Sequence, residues 1–119
     1  MTPTNIRGMR LHAARLLIAA AVLLPFGAAH AQEVQVTIDN FTFSPPELTV
    51  KVGDTVTWTN HDDIPHTVVS AGKFRSKALD TDNSYSFTFA SAGDYKYFCS
   101  LHPHMTGTIV VQPERASSS

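Results

Sequence analysis

The chain has 119 residues, with ten acidic residues against nine basic ones, a formal net charge of −1 and a single cysteine. That length limits it to one modest domain, and the absence of a basic cluster excludes a nucleic-acid surface. A lone cysteine excludes an internal disulfide.

Arg7, Arg10 and Arg15 make a basic start, and Leu16 to Phe26 is apolar throughout. Ala29-His30-Ala31 then places small residues at the two positions a signal peptidase reads. Residues 1–31 are predicted to be a secretory signal peptide, cleaved before Gln32. The apolar run is too short to span a bilayer comfortably, so no membrane association is expected after cleavage. Residues 32–119 keep all ten acidic residues and six of the nine basic ones, a formal charge of −4. Mild acidity favours solubility and little else. Export leads to an oxidising compartment, where small domains tend to carry paired cysteines. This chain has no such staple, and a bound metal is one way to supplement a small core.

From Gln32 onward, alternation with period two dominates. Val34, Val36 and Ile38 face one way, with Gln35 and Thr37 between them. Leu48, Val50 and Val52 follow, then Val56 and Trp58 among threonines, then Val68-Val69. Tyr85, Phe87 and Phe89 form another set, Tyr95, Tyr97 and Cys99 the next, and Ile109 to Val111 closes the series. Such β-branched and aromatic alternation predicts strands. Ser44-Pro45-Pro46, Gly53-Asp54, His61-Asp62-Asp63, Asp82-Asn83-Ser84 and Ala92-Gly93-Asp94 supply the turns. Residues 71–82 are the least patterned and are expected to hold a loop or a short turn of helix. The pattern predicts an all-β, antiparallel sandwich or barrel over residues 32–113. An immunoglobulin-like sandwich fits the same periodicity but wants a cysteine pair. Residues 114–119 have no apolar anchor and are expected to be a disordered tail.

The chemistry concentrates in Cys99-Ser100-Leu101-His102-Pro103-His104-Met105. Taken singly, each residue has an ordinary reading. A buried free cysteine is usually a small hydrophobe, a loop histidine is usually solvated and a methionine usually fills core space. Together they read differently, because Met1 and Met9 fall in the predicted leader and Met105 is the only methionine after it. Cys99, His102 and Met105 recur at spacing three in an expected loop between two strands. His66, at the start of an expected strand, is the candidate fourth ligand. Thiolate, two imidazoles and a weak thioether are the donor set of blue-copper electron transfer. The sulfur donors favour Cu(I) while imidazole suits both oxidation states, so the site changes little as the electron moves. Zinc accepts cysteine and histidine, but rarely methionine, and has no redox chemistry.

The segments FSPPELTVKVGDTVTWTN, PHTV and AGDYKYFCSLHPHMTGTIVV run between Phe43 and Val111. They resemble the cupredoxins, and the short Cys-x-x-His-x-x-Met spacing is similar to the amicyanin type within them. The resemblance implies a Greek-key β-sandwich of about eight strands holding one type 1 copper. It implies His66, Cys99 and His102 as strong ligands and Met105 as the axial one. It also implies that His102 reaches the surface among apolar residues as the electron's port, with Pro45, Pro65 and Pro103 as candidates for that face. The expected function is a monomeric periplasmic electron carrier working with redox proteins, an amine dehydrogenase as donor and a c-type cytochrome as acceptor. A copper chaperone or storage protein is the alternative, though one methionine and a closed four-ligand set argue against it. An enzyme is not expected, since no open coordination position, nucleophile–base pair or second metal cluster is visible.

Three positions depart from the family's pattern. Thr67 follows His66 where asparagine is common, so its hydroxyl is expected to replace only part of a bond that ties the ligand loops. Leu101 stands where the amicyanin type has proline, and its N–H is expected to reach the Cys99 sulfur. His104 stands where an apolar residue is usual, and its side chain is expected to point away from the metal.

Overall fold

A computed structural model describes residues 30–114. The predicted leader, apart from His30 and Ala31, and the predicted tail, apart from Glu114, lie outside the described residues. Nine strands follow in order: β1 Glu33–Asp39, β2 Thr42–Ser44, β3 Glu47–Lys51, β4 Thr55–Asn60, β5 Val69–Ser70, β6 Phe74–Arg75, β7 Ser84–Thr88, β8 Gly93–Cys99 and β9 His102–Gln112. They form two sheets, of order β2-β1-β4-β7 and β3-β9-β8-β5-β6, packed as a β-sandwich.

The alternation has the expected cause, which is burial of one face of each sheet. Val36, Ile38, Val56 and Trp58 point inward from the first sheet, and Val50, Tyr97, Cys99, Ile109 and Val111 from the second. Trp58 and Tyr97 meet across the interior with ring centroids 5.4 Å apart, and Phe43 lies 4.7 Å from Tyr97. Burying a ring of this kind stabilises the fold by roughly 1.5–3 kcal/mol. The outer face of the first sheet is polar. Hydroxyl pairs Thr55–Thr88, Thr57–Ser86 and Thr59–Ser84 cross β4 and β7 at 2.6–2.8 Å.

The structure corrects the sequence reading in three places. The sheets are mixed rather than antiparallel, because β1 pairs parallel with β4 and β3 parallel with β9. Period-two alternation reports which face is buried and carries no strand direction. Residues 71–82 hold no helix; they contain β6 and an isolated bridge between Leu79 and His66. The seven-residue stretch from Cys99 is not a loop. Cys99 ends β8, Ser100 and Leu101 form a two-residue turn, and β9 begins at His102. The β8–β9 register shifts between Phe98, opposite Thr106, and Cys99, which stands opposite His102.

Candidate metal centre

The centre begins where β4 ends. Asn60 is fully buried, and its Nδ2 donates to the Ile64 carbonyl at 2.9 Å and the Leu79 carbonyl at 2.8 Å. Its Oδ1 accepts from the Asp62 N–H at 2.8 Å. One buried amide thereby folds the turn that delivers His66. The backbone of His66 is then locked to Leu79 by two hydrogen bonds, 3.1 Å and 2.7 Å.

The His66 ring is fully buried, and its Nε2 lies 2.7 Å from Asp62 Oδ2. The carboxylate at Nε2 fixes the ring's orientation and, once a metal is bound, favours the tautomer in which Nδ1 is the donor atom. Nδ1 faces the Cys99 sulfur at 3.7 Å, and His102 Nδ1 faces the same sulfur, also at 3.7 Å. One donor atom from each of His66, Cys99 and His102 lies within 4.8 Å of the others. Bonds of about 2.0 Å to nitrogen and about 2.3 Å to sulfur, spread at ~120°, hold nitrogen and sulfur about 3.7 Å apart. The two nitrogen–sulfur separations therefore match those of a trigonally held metal.

Cys99 is fully buried, and burial alone raises a thiol's pKa. Here that rise is outweighed by the Thr67 N–H, by His66 and His102, and last by the Leu101 amide, which bring it down to about 6. The Thr67 N–H donates to the sulfur at 3.3 Å. A thiol so placed is a thiolate at neutral pH, the form a metal requires.

Thr67 ties the two segments more fully than expected. Its Oγ1 accepts from the Ser100 N–H at 2.7 Å, meets Ser100 Oγ at 2.8 Å and approaches the Cys99 sulfur at 3.8 Å. Met105 is buried on β9 within the core cluster that also holds Cys99. It lines a shallow surface hollow of ≈ 450 Å³ together with Phe41, Leu101, His102, Pro103 and His104. His104 is exposed, as expected. Of the three prolines expected at that face, Pro103 borders the hollow, while Pro45 and Pro65 are exposed outside its lining.

Two residues escaped the sequence reading. Asp62 was read only as part of an acidic turn, although a carboxylate four residues before a candidate ligand histidine was a signal for its partner. Phe41 carried no signal. Its ring stands edge-on to both imidazoles, with centroids 5.4 Å from His66 and 5.1 Å from His102.

Residues 12–111 match the cupredoxin-like domain family. Amicyanin of Paracoccus denitrificans is 38% identical over 96 residues, covering 74% of this chain and 73% of the relative. Among solved structures, a purple cupredoxin from Nitrosopumilus maritimus superposes with a TM-score of 0.64 at 35% identity, covering 66% of this chain and 99% of that one. A Cu(I) amicyanin variant gives 0.64 at 36% identity, covering 77% of this chain and 89% of that one. With fold and donor set both matched, the chain belongs to the cupredoxin-like family, and its cofactor is one type 1 copper ion.

Proposed function

We propose that this protein is a periplasmic electron carrier in which His66, Cys99 and His102 hold the copper and Met105 supplies the axial thioether. The observation that carries this reading is the donor triangle, whose nitrogen–sulfur separations of 3.7 Å already suit a trigonal metal. When bound, copper supplies one-electron chemistry by alternating between Cu(I) and Cu(II). The protein keeps the donors still while this happens. Asp62 orients His66, the Thr67 N–H holds the sulfur, and the Thr67 hydroxyl fixes the turn that joins Cys99 to His102. Fixed donors keep reorganisation small, which favours fast transfer over ligand exchange.

His102 is the electron's port in this reading. It is half-buried, whereas His66 is fully buried, and it borders the hollow where Phe41 and Leu101, the two exposed large hydrophobic residues among the described residues, also lie. An amine dehydrogenase as donor and a c-type cytochrome as acceptor would meet it there. The protein is not an enzyme on this account, because four protein donors leave no position for substrate.

Mixing the reduced, copper-loaded protein with an oxidised c-type cytochrome tests the role. A carrier reduces the cytochrome and keeps its copper through repeated cycles. Loss of copper to a Cu(I) chelator with no cytochrome reduction would instead indicate storage or delivery. The location is tested by sequencing the N-terminus of the exported form, which should begin at Gln32.

A further inference from the structure

The hairpin joining β1 to β2 closes with two residues, Asn40 and Phe41, between the paired Asp39 and Thr42. Both have positive φ, 52° and 57°. A two-residue turn of this kind favours asparagine followed by glycine. Phenylalanine in the left-handed region is strained, and an outlier of that kind at a functional site invites a functional reading. Phe41 is also 49% exposed, so it gains little from burial.

What holds it there is Asp62. Its Oδ1 accepts from the Asn40 N–H at 2.6 Å and its Oδ2 from the Phe41 N–H at 2.9 Å. The same Oδ2 lies 2.7 Å from His66 Nε2. The Phe41 ring in turn stands nearly perpendicular to both imidazoles, at 86° to His66 and 89° to His102. One carboxylate therefore joins the buried histidine to the turn that places an aromatic ring against the exposed one. Such edge-to-face contacts are attractive and directional.

We propose that Phe41 is a positioning residue that closes the outer side of the metal centre to small exogenous ligands, and that Asp62 holds it in place. The proposal rests on the copper reading above. The ring stands beside His102, the less buried of the two histidine donors, and takes up space through which water or an anion would approach the metal. A hairpin selected for stability alone would place glycine at position 41.

The test uses the full mature chain loaded with Cu(II), azide as the probe, and the variants Phe41→Gly, Asp62→Ala and their combination. Phe41→Gly should leave the metal-free protein's melting temperature unchanged or raised, because the turn relaxes. The same variant should retain the blue band, yet azide should perturb that band at a concentration about tenfold lower than in the parent. Asp62→Ala should shift the azide response in the same direction, and the double variant should go no further than the larger single one. An azide response equal to the parent's, or a lowered melting temperature in Phe41→Gly, would overturn the role of Phe41. Additive effects in the double variant would overturn the link through Asp62. A parent Cu(II) complex without a blue band would overturn the copper reading itself, which separates that failure from failure of the Phe41–Asp62 proposal.

Discussion

Two aspartates stand just outside opposite ends of β4, and they perform the same structural act with different consequences. Asp54 accepts from the Gln32 N–H at 2.8 Å and the Lys51 N–H at 2.9 Å, drawing together the segment entering β1 and the end of β3. Asp62 accepts from the Asn40 and Phe41 N–H groups at 2.6 Å and 2.9 Å, tying down the hairpin at the other end of β1. The difference is that Asp62 also holds His66, 2.7 Å away. At one end of the sandwich the carboxylate is scaffold. At the other, the same device is extended by one bond to a metal donor, so scaffold and site share a residue. β4 separates the two, a strand of six residues and hence about 20 Å.

The comparison predicts separable effects. Asp54→Ala should cause the largest loss of stability, about 3 kcal/mol, because a buried carboxylate that holds two backbone N–H groups disappears. The visible spectrum of the folded copper protein should be unaltered, as chemical denaturation and absorption together would show. A changed spectrum would break the distinction between the two ends.

A pH effect should follow at the site end. Burial raises the Cys99 pKa, but the Thr67 N–H and the two histidines outweigh it and set it at about 6, against 9.0 for an unperturbed thiol. A lowered folded-state pKa contributes stability that is fully present above the unfolded value and is lost as pH falls through the folded one. The metal-free protein should therefore lose this contribution progressively from about pH 9 down to about pH 6. The unfolding free energy of metal-free Cys99→Ser should show a flatter profile over that range. Equal slopes in the two proteins would argue against a native thiolate.

Smaller effects sharpen the picture of the β8–β9 turn. Thr67→Val keeps the backbone bond to sulfur but removes both hydroxyl contacts with Ser100, and should cost about 1 kcal/mol. Denaturant unfolding of the copper-free protein measures it. Leu101→Pro removes an N–H whose pull on the Cys99 thiol is weaker than that of Thr67 or either histidine. A thiolate with one donor fewer favours Cu(II), so the reduction potential should fall slightly. An unchanged or higher potential in voltammetry would show that the Leu101 amide does not act on the sulfur.

Much of this architecture was legible in the residues, for reasons that also explain what was not. Val36 and Ile38 on β1, Val56 and Trp58 on β4, and Tyr97 and Cys99 on β8 announce themselves because one face of each strand is buried. The candidate donors were legible because cysteine, histidine and methionine are chemically distinctive and three of them crowd into seven residues. β2 and β6, of three and two residues, are too short to show a period. The parallel pairings of β1 with β4 and β3 with β9 leave no trace in local alternation. Asp62 and Phe41 were missed because their bond crosses 21 positions, and its significance depends on a third residue that only the folded hairpin brings near. Local pattern reports burial; the assembly of a site from distant turns does not show in it.

The central claim is that the Cys99 thiolate binds copper between two imidazoles. The most direct test is the visible absorption of the protein reconstituted with one equivalent of Cu(II), beside Cys99→Ser treated in the same way. An intense blue band from thiolate-to-copper charge transfer, absent from the variant, is the predicted result. A colourless Cu(II) complex of the parent chain, or a band that survives in Cys99→Ser, would contradict the account.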